Sequence, residues 1–170
     1  MARDKKATKT NAARLLDELG IEYSIGESEV DLSDLSAVTM AAKIGADPAR
    51  VFKTLVARGD RSGVIMACIP ADAELDLKAL AQASGNKHVE MVHLKEVQPL
   101  TGYMRGGCSP LAGKKEYPVY IDETAVLHST IFVSAGLRGV QLNLAPDDLL
   151  RAAKAAYAPI ARNPETQQPY

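Results

Sequence analysis

Three short stretches of this 170-residue chain hold the residue types that chemistry needs. The first is VFKTLVA, residues 51–57, in which Lys53 is the one charged side chain. As a β-strand it sets Val51, Lys53 and Leu55 on one face and Phe52, Thr54 and Val56 on the other, so both faces are substantially apolar. An ammonium buried without partners is costly. Such a lysine lowers its pKa, finds a carboxylate, or points at a polar ligand in a cavity. The competing reading is an edge charge against aggregation, or a stem laid on the surface with its head in water. On this stretch alone both readings stand.

The second stretch is the loop GGCSPLAG, residues 106–113. Gly106 and Gly107 let the backbone approach a ligand and take positive φ, so that adjacent N–H groups can converge on a carbonyl or anionic oxygen. Ser109 precedes Pro110 and is biased to an extended conformation that presents its hydroxyl. The third is FVSAGLRG, residues 132–139, where Ser134 ends a strand before Ala135 and Gly136, with Arg138 in the following turn. An ordinary surface loop and an ordinary strand end satisfy these two patterns equally well. Within the second stretch Cys108 is a further candidate, a nucleophile if a base or a positive dipole lowers its pKa. No spacing links it to His88, His93, His128 or a carboxylate, and the HExxH pattern of metalloproteases is absent. The expectation is therefore no metal and no cofactor. Neither a GxxxxGKS phosphate loop nor a GxGxxG nucleotide loop is present.

Elements must position these residues. The spacing predicts a helix over TKTNAARLLDELG with Thr10 or Asn11 as cap, then a strand in IEYSIGE. A second helix follows in SDLSAVTMAAKIG, with Val38, Ala41, Ala42 and Ile44 as a small-residue face. VFKTLVAR and VIMACIP, joined by GDRSG, read as an antiparallel hairpin. DLKALAQASG is a helix closed by Gly85, KHVEMVH a short strand, and LKEVQPLTGY a helical turn stopped by Pro99. PVYID, TIFVSAG and GVQLNL are three short strands, and APDDLLRAAKAAYAPI a final helix with Asp147 and Asp148 at its positive end. Short adjacent strands with helices between and around them predict an α+β domain built on a mixed, partly closed barrel-like sheet. The expected division is one domain over 1–160 and a disordered tail over 161–170.

Bulk properties narrow the class. A formal net charge of −1 argues against sequence-blind coating of nucleic acid but leaves room for a local basic face. Arg3, Lys5, Lys6, Lys9 and Arg14 cluster early, Lys114 and Lys115 share a loop, and Arg151 and Lys154 share the last helix; solvated faces explain each cluster on its own. Cys68 and Cys108 suggest neither a disulfide framework nor a zinc site. The absence of a long apolar run and of a secretory signal predicts a soluble, cytoplasmic protein without a membrane span.

Taken in order, VFKTLV, GGCSPLAGKK, PVYID, FVSAGLRG and LNLAPDDL resemble the YbaK/EbsC family, whose segments run as an FKTL strand, a GG-x-SPLG loop, a VS-x-G-x-RG strand end and an APxDL helix start. The resemblance spans about residues 11–160, with two departures: Ala112 stands where the family carries glycine, with Gly113 next, and the aromatic residue the family carries in the polar stretch after the first strand has no equivalent in EVDLSDLSAV, Tyr23 lying earlier. It implies the fold of the editing domain of bacterial prolyl-tRNA synthetase. It also implies a trans-editing deacylase that removes cysteine from tRNA(Pro), and from tRNA(Cys) as a second substrate, without metal or protein nucleophile. Two alternatives stay open: a water-using deacylase for Ala-tRNA(Pro) or another small aminoacyl-tRNA, and a non-catalytic aminoacyl or nucleotide-binding module. By the same resemblance Lys53 is the catalytic residue, and Thr54, Gly106, Gly107, Ser109, Ser134 and Gly136 contact the substrate. Aminoacyl-tRNA and a prolyl-tRNA synthetase in a ternary complex are the implied partners.

Overall fold

A computed structural model describes residues 9–164 of the chain. Helix α1 (Asn11–Glu18) is capped by Thr10, whose hydroxyl accepts from the Ala13 N–H at 3.2 Å. It buries Ala12, Ala13 and Leu16. Strand β1 (Ser24–Glu27) follows, then α2 (Ala37–Lys43) with Ser36 as cap. Only Ala41 of the expected small-residue face is buried; Val38 and Ala42 face outward. A 3-10 turn (Pro48–Arg50) leads into β2 (Phe52–Gly59), which pairs antiparallel with β3 (Gly63–Pro70) along its whole length.

The short β4 (Glu74–Leu75), α3 (Leu77–Ser84), β5 (Val89–Met91) and α4 (Leu94–Thr101) come next. Contrary to expectation, α4 continues through Pro99 and ends at Gly102, φ 82°. Proline there removes the bond to the Lys95 carbonyl, but both residues are exposed, so water can satisfy that oxygen. After the irregular loop come β6 (Val119–Asp122), β7 (Ile131–Leu137), β8 (Val140–Leu144) and α5 (Pro146–Ala153). The final helix is shorter than its sequence suggests. Lys154 turns left-handed at φ 55°, and β9 (Ala156–Ala158) is taken up as a parallel neighbour of β6.

The strands form a five-stranded sheet in the order β5-β2-β3-β6-β9 and a three-stranded sheet β1-β8-β7. The β3–β6 and β6–β9 pairings are parallel, whereas the others in these sheets are antiparallel. A single parallel bridge between Val51 and Phe132 ties the two sheets; no continuous ladder closes them into a barrel among the described residues. The main core, including Phe52, Val56, Ile121, Val133 and Leu142, lies between them. The tail boundary at 160 needs correction. Strand β10 (Ala161–Arg162) pairs with β4, and the buried Asp122 carboxylate accepts from the Ile160 and Ala161 N–H groups at 3.0 and 2.8 Å. Residues 165–170, like Arg3, Lys5 and Lys6, lie outside the described residues. Among the described residues no helix is long and apolar enough to cross a membrane.

Candidate active site

Strand β2 lines one side of a cavity of about 510 Å³ that opens between it, the α2 segment, the start of α4 and the glycine loop. Its polar lining is sparse: Ser36 from the α2 cap, Lys53 and Thr54 from β2, Cys108 and the Arg105–Gly106 pair from the loop, Ser134 from β7 and Gln141 from β8. Leu35, Val38, Met40, Met91, Leu94 and Val97 supply much of the apolar wall.

Lys53 is partly buried, opposite Ile69 in the ladder, and its Nζ donates to the Ala71 carbonyl at 3.1 Å. Burial pulls its pKa below the ordinary lysine value, and the charges of Asp72 and Glu74 push weakly back. Of the two readings of this lysine, the pocket-lining one is the one its position fits. Thr54 lines the same cavity, with its hydroxyl 3.6 Å from the Cys68 sulfur.

Ser134 owes its place to a β-bulge. The β7–β8 register shifts between Ser134 and Leu137, and the Ser134 hydroxyl accepts the Gly136 N–H at 3.0 Å. Gly136 itself does not line the cavity. It has φ 101°, and a Cβ there would come within 2.8 Å of the Tyr103 ring, which packs against it. Its contribution is to the bulge that aims Ser134.

The glycine pair divides its work. Gly106 lines the cavity at φ 85° beside Leu35, and its N–H donates to no group among the described residues. Gly107 lies against the β7–β8 turn, where a Cβ would meet the Arg138 backbone nitrogen at 3.0 Å, and its N–H donates to the Met104 carbonyl. That N–H is engaged, so the expected convergence of two adjacent donors reduces to one. Ser109 is likewise drawn away. It is fully buried, its hydroxyl accepts from the Leu111 N–H at 3.2 Å, and it borders a separate cavity with Pro110 and Tyr117. An extended residue before proline uses its hydroxyl to shape the loop here, not to present it.

Sequence reasoning missed Gln141. It is 6% exposed, it faces Ser134 across the β7–β8 ladder, and its Oε1 is buried with no hydrogen-bond partner. A buried amide oxygen left unpaired costs on the order of 1–3 kcal/mol, which a ligand donor would recover. In GVQLNL it alternates with Val140 and Leu142 as the polar position of a strand; only its place on the cavity that Leu35–Val38 and Met40 also line gives it away.

The thiols do not support a protein nucleophile. Burial pushes Cys108 up to about 11 and Cys68 up to about 12, so both are protonated at neutral pH. None of His88, His93 and His128 lines the cavity, nor does any carboxylate. Among the described residues no group of three or more His, Cys, Asp or Glu is placed to hold a metal ion.

Residues 34–152 match the aminoacyl-tRNA editing domain family. EbsC of Enterococcus faecalis strain V583, which bears the name Cys-tRNA(Pro)/Cys-tRNA(Cys) deacylase as a provisional assignment, is 46% identical over 160 residues, covering 94% of this chain and 98% of its own length. YwhH of Bacillus subtilis strain 168, an uncharacterized protein, is 30% identical over 72% of this chain and 77% of its own. Two solved structures share the fold: the hypothetical protein APE2540 and a protein provisionally described as a trans-editing enzyme for prolyl-tRNA synthetase. The first has a TM-score of 0.79 at 22% identity over 88% of this chain and 97% of its own. The second has a TM-score of 0.75 at 23% identity over 90% and 98%.

Proposed function

This chain belongs to the aminoacyl-tRNA editing domain family, and on that footing we propose that it is a free-standing trans-editing deacylase removing cysteine from tRNA(Pro), with Cys-tRNA(Cys) as a second substrate. The observation that carries the reading is the make-up of the cavity. It offers two cations, Lys53 and Arg105, a free backbone donor and neutral polar groups, but no carboxylate or imidazole to activate water and no thiolate to attack.

Such a site suits a substrate that brings its own nucleophile. The thiol of the esterified cysteine loses its proton and its sulfur bonds to the ester carbonyl carbon. The tetrahedral centre then expels the ribose oxygen, which takes up a proton, and tRNA leaves. The product is a cyclic thioester that water opens to free cysteine. The protein's share is to hold thiol and carbonyl in attacking geometry and to stabilise the charge on the carbonyl oxygen. Lys53 Nζ and the Gly106 N–H are the groups assigned to that oxygen. Thr54 and Ser134 flank the ester, and Gln141 Oε1 accepts from the substrate's α-amino group. A prolyl-tRNA synthetase is the partner assigned to supply tRNA selectivity to a chain of net charge −1, and the cytoplasm is the compartment this work requires.

The test compares tRNA(Pro) charged with cysteine, serine or alanine. Deacylation of the cysteinyl form alone supports the reading. Equal rates on the alanyl form would transfer the attack to water, and binding without any deacylation would make the chain a non-catalytic module.

A further inference from the structure

Tyr103 stands between the two segments on which the cavity's backbone donor and its serine depend. It is partly buried and does not line the cavity itself. Its backbone is fixed from the end of α4: the Tyr103 N–H donates to the Thr101 hydroxyl at 3.0 Å, and that buried hydroxyl donates in turn to the Val97 carbonyl at 2.7 Å. From there the ring reaches between two glycines of different segments. A Cβ on Gly136 would lie 2.8 Å from Cε1, and a Cβ on Gly113 would lie 3.7 Å from Cε2. One edge of the ring therefore meets the β7 bulge and the other meets the end of the glycine loop.

The hydroxyl completes the arrangement. It donates to the carbonyl of the buried Leu111 and so closes residues 103–111 into a ring. That ring contains Arg105, Gly106 and Cys108, all on the cavity wall. Inside it the Gly107 N–H donates to the Met104 carbonyl, and just beyond it the Lys114 N–H donates to the Thr101 carbonyl at 2.8 Å. Burial, with a smaller contribution from Cys108, pushes the Tyr103 hydroxyl up to about 12, so it is a donor at neutral pH.

We propose that Tyr103 is a positioning residue of the deacylation, and that its two parts serve two walls of the cavity. The hydroxyl holds the loop that presents the Gly106 N–H, and the ring holds the bulge that aims Ser134. What Tyr103 fixes is the separation of two groups that come from different elements. Reaction rate is sensitive to that separation, and binding of the ground state much less so. The chemistry in this assignment rests on the deacylase reading; the tie between loop and bulge does not.

The test uses the full chain, two variants and two measurements. Tyr103→Phe removes the hydroxyl and keeps the ring, whereas Tyr103→Leu removes both. Well below the unfolding midpoint, Tyr103→Phe is expected to lower kcat on Cys-tRNA(Pro) about tenfold and Tyr103→Leu about a hundredfold, with KM within about twofold of wild type in both. Amide hydrogen exchange reads the positioning without any substrate, and the β2–β3 hairpin reports the global loss of stability. In Tyr103→Phe exchange over residues 105–111 quickens about tenfold more than in the hairpin, and residues 134–137 follow the hairpin; in Tyr103→Leu both segments quicken beyond it. A rise over 105–111 no larger than the hairpin's overturns the proposal, as does a Tyr103→Phe kcat within about twofold of wild type. Wild-type chain that deacylates nothing removes the deacylase reading, and the exchange pattern then decides alone whether Tyr103 ties the two walls. Active wild-type chain whose Tyr103→Phe variant matches it in kcat and exchange keeps the deacylase and removes the positioning role.

Discussion

A lysine held in a largely apolar cavity by one carbonyl, Ala71 O at 3.1 Å, is a net cost to the fold. The sign of its pH dependence follows from the lowered pKa. Between the folded value and the higher unfolded one the unfolded chain binds more protons, so stability rises as pH climbs through that window; below it the penalty is present in full. Lys53→Met is therefore expected to stabilise the chain by about 0.5–1 kcal/mol at pH 7, with the advantage shrinking toward pH 10 in urea titrations. The same variant is expected to lose deacylation about a hundredfold, the scale of a removed oxyanion donor. Ala112 raises a second conflict. It sits at φ 55°, the conformation glycine adopts at little cost, so the turn that the family builds with glycine is kept here against the preference of alanine. Ala112→Gly is expected to gain about 0.5–1 kcal/mol after glycine's own entropy loss is subtracted, measured by the same titration. Cys108→Ala is expected to keep deacylation within about twofold, since a thiol pushed to about 11 by burial is not the attacking group; complete loss would restore the protein-nucleophile reading.

At the scale of elements, what the sequence made legible is what local patterns decide. The β2–β3 hairpin follows from two alternating apolar runs around GDRSG, and the glycine pair from one residue needing φ 85° and the next lying against a backbone nitrogen. Contacts that form only in the folded chain were not legible. Tyr157 Oη donates to Asp147 at 2.7 Å while its strand joins β6, which outcompetes the helical pattern of AAKAAYA. Ser109 is buried, with its hydroxyl accepting the Leu111 N–H. Gln141 was not legible because nothing local announces that its side of β8 borders the cavity. The bulge on β7 is the element on which the site most depends. Gly136→Ala would push a methyl against Tyr103 at an unfavourable φ, and is expected to cost about 1–3 kcal/mol. Because Ser134 is aimed by that bulge, activity should fall further than the lost stability explains, which comparison of kcat at temperatures well below the unfolding midpoint will show.

For the whole molecule, the two sheets and the α2 segment make a receptor that is apolar, nearly closed to charge, and cationic where charge occurs. Many of the basic residues away from the cavity are engaged locally. Lys9 and Arg14 bond Asp17 and Asn11 within or beside α1, Lys114 bonds the Pro99 carbonyl, and Arg151 and Lys154 sit near Asp148 and Glu116. A broad tRNA-binding face is therefore not provided by these clusters, which is the physical reason for assigning tRNA choice to a synthetase. Isolated chain is expected to bind tRNA(Pro) and other tRNAs with similar, weak affinity in a gel shift, with selectivity appearing on addition of prolyl-tRNA synthetase. The central claim, that the substrate supplies the nucleophile, has one direct measurement. Single-turnover deacylation of Cys-tRNA(Pro) is compared with that of the same tRNA carrying S-methylcysteine, which keeps the sulfur but has no S–H to lose and so cannot become the attacking thiolate. The expected result is rapid release of cysteine and no release of S-methylcysteine above the uncatalysed rate; equal release of both would contradict the account and give the attack to water.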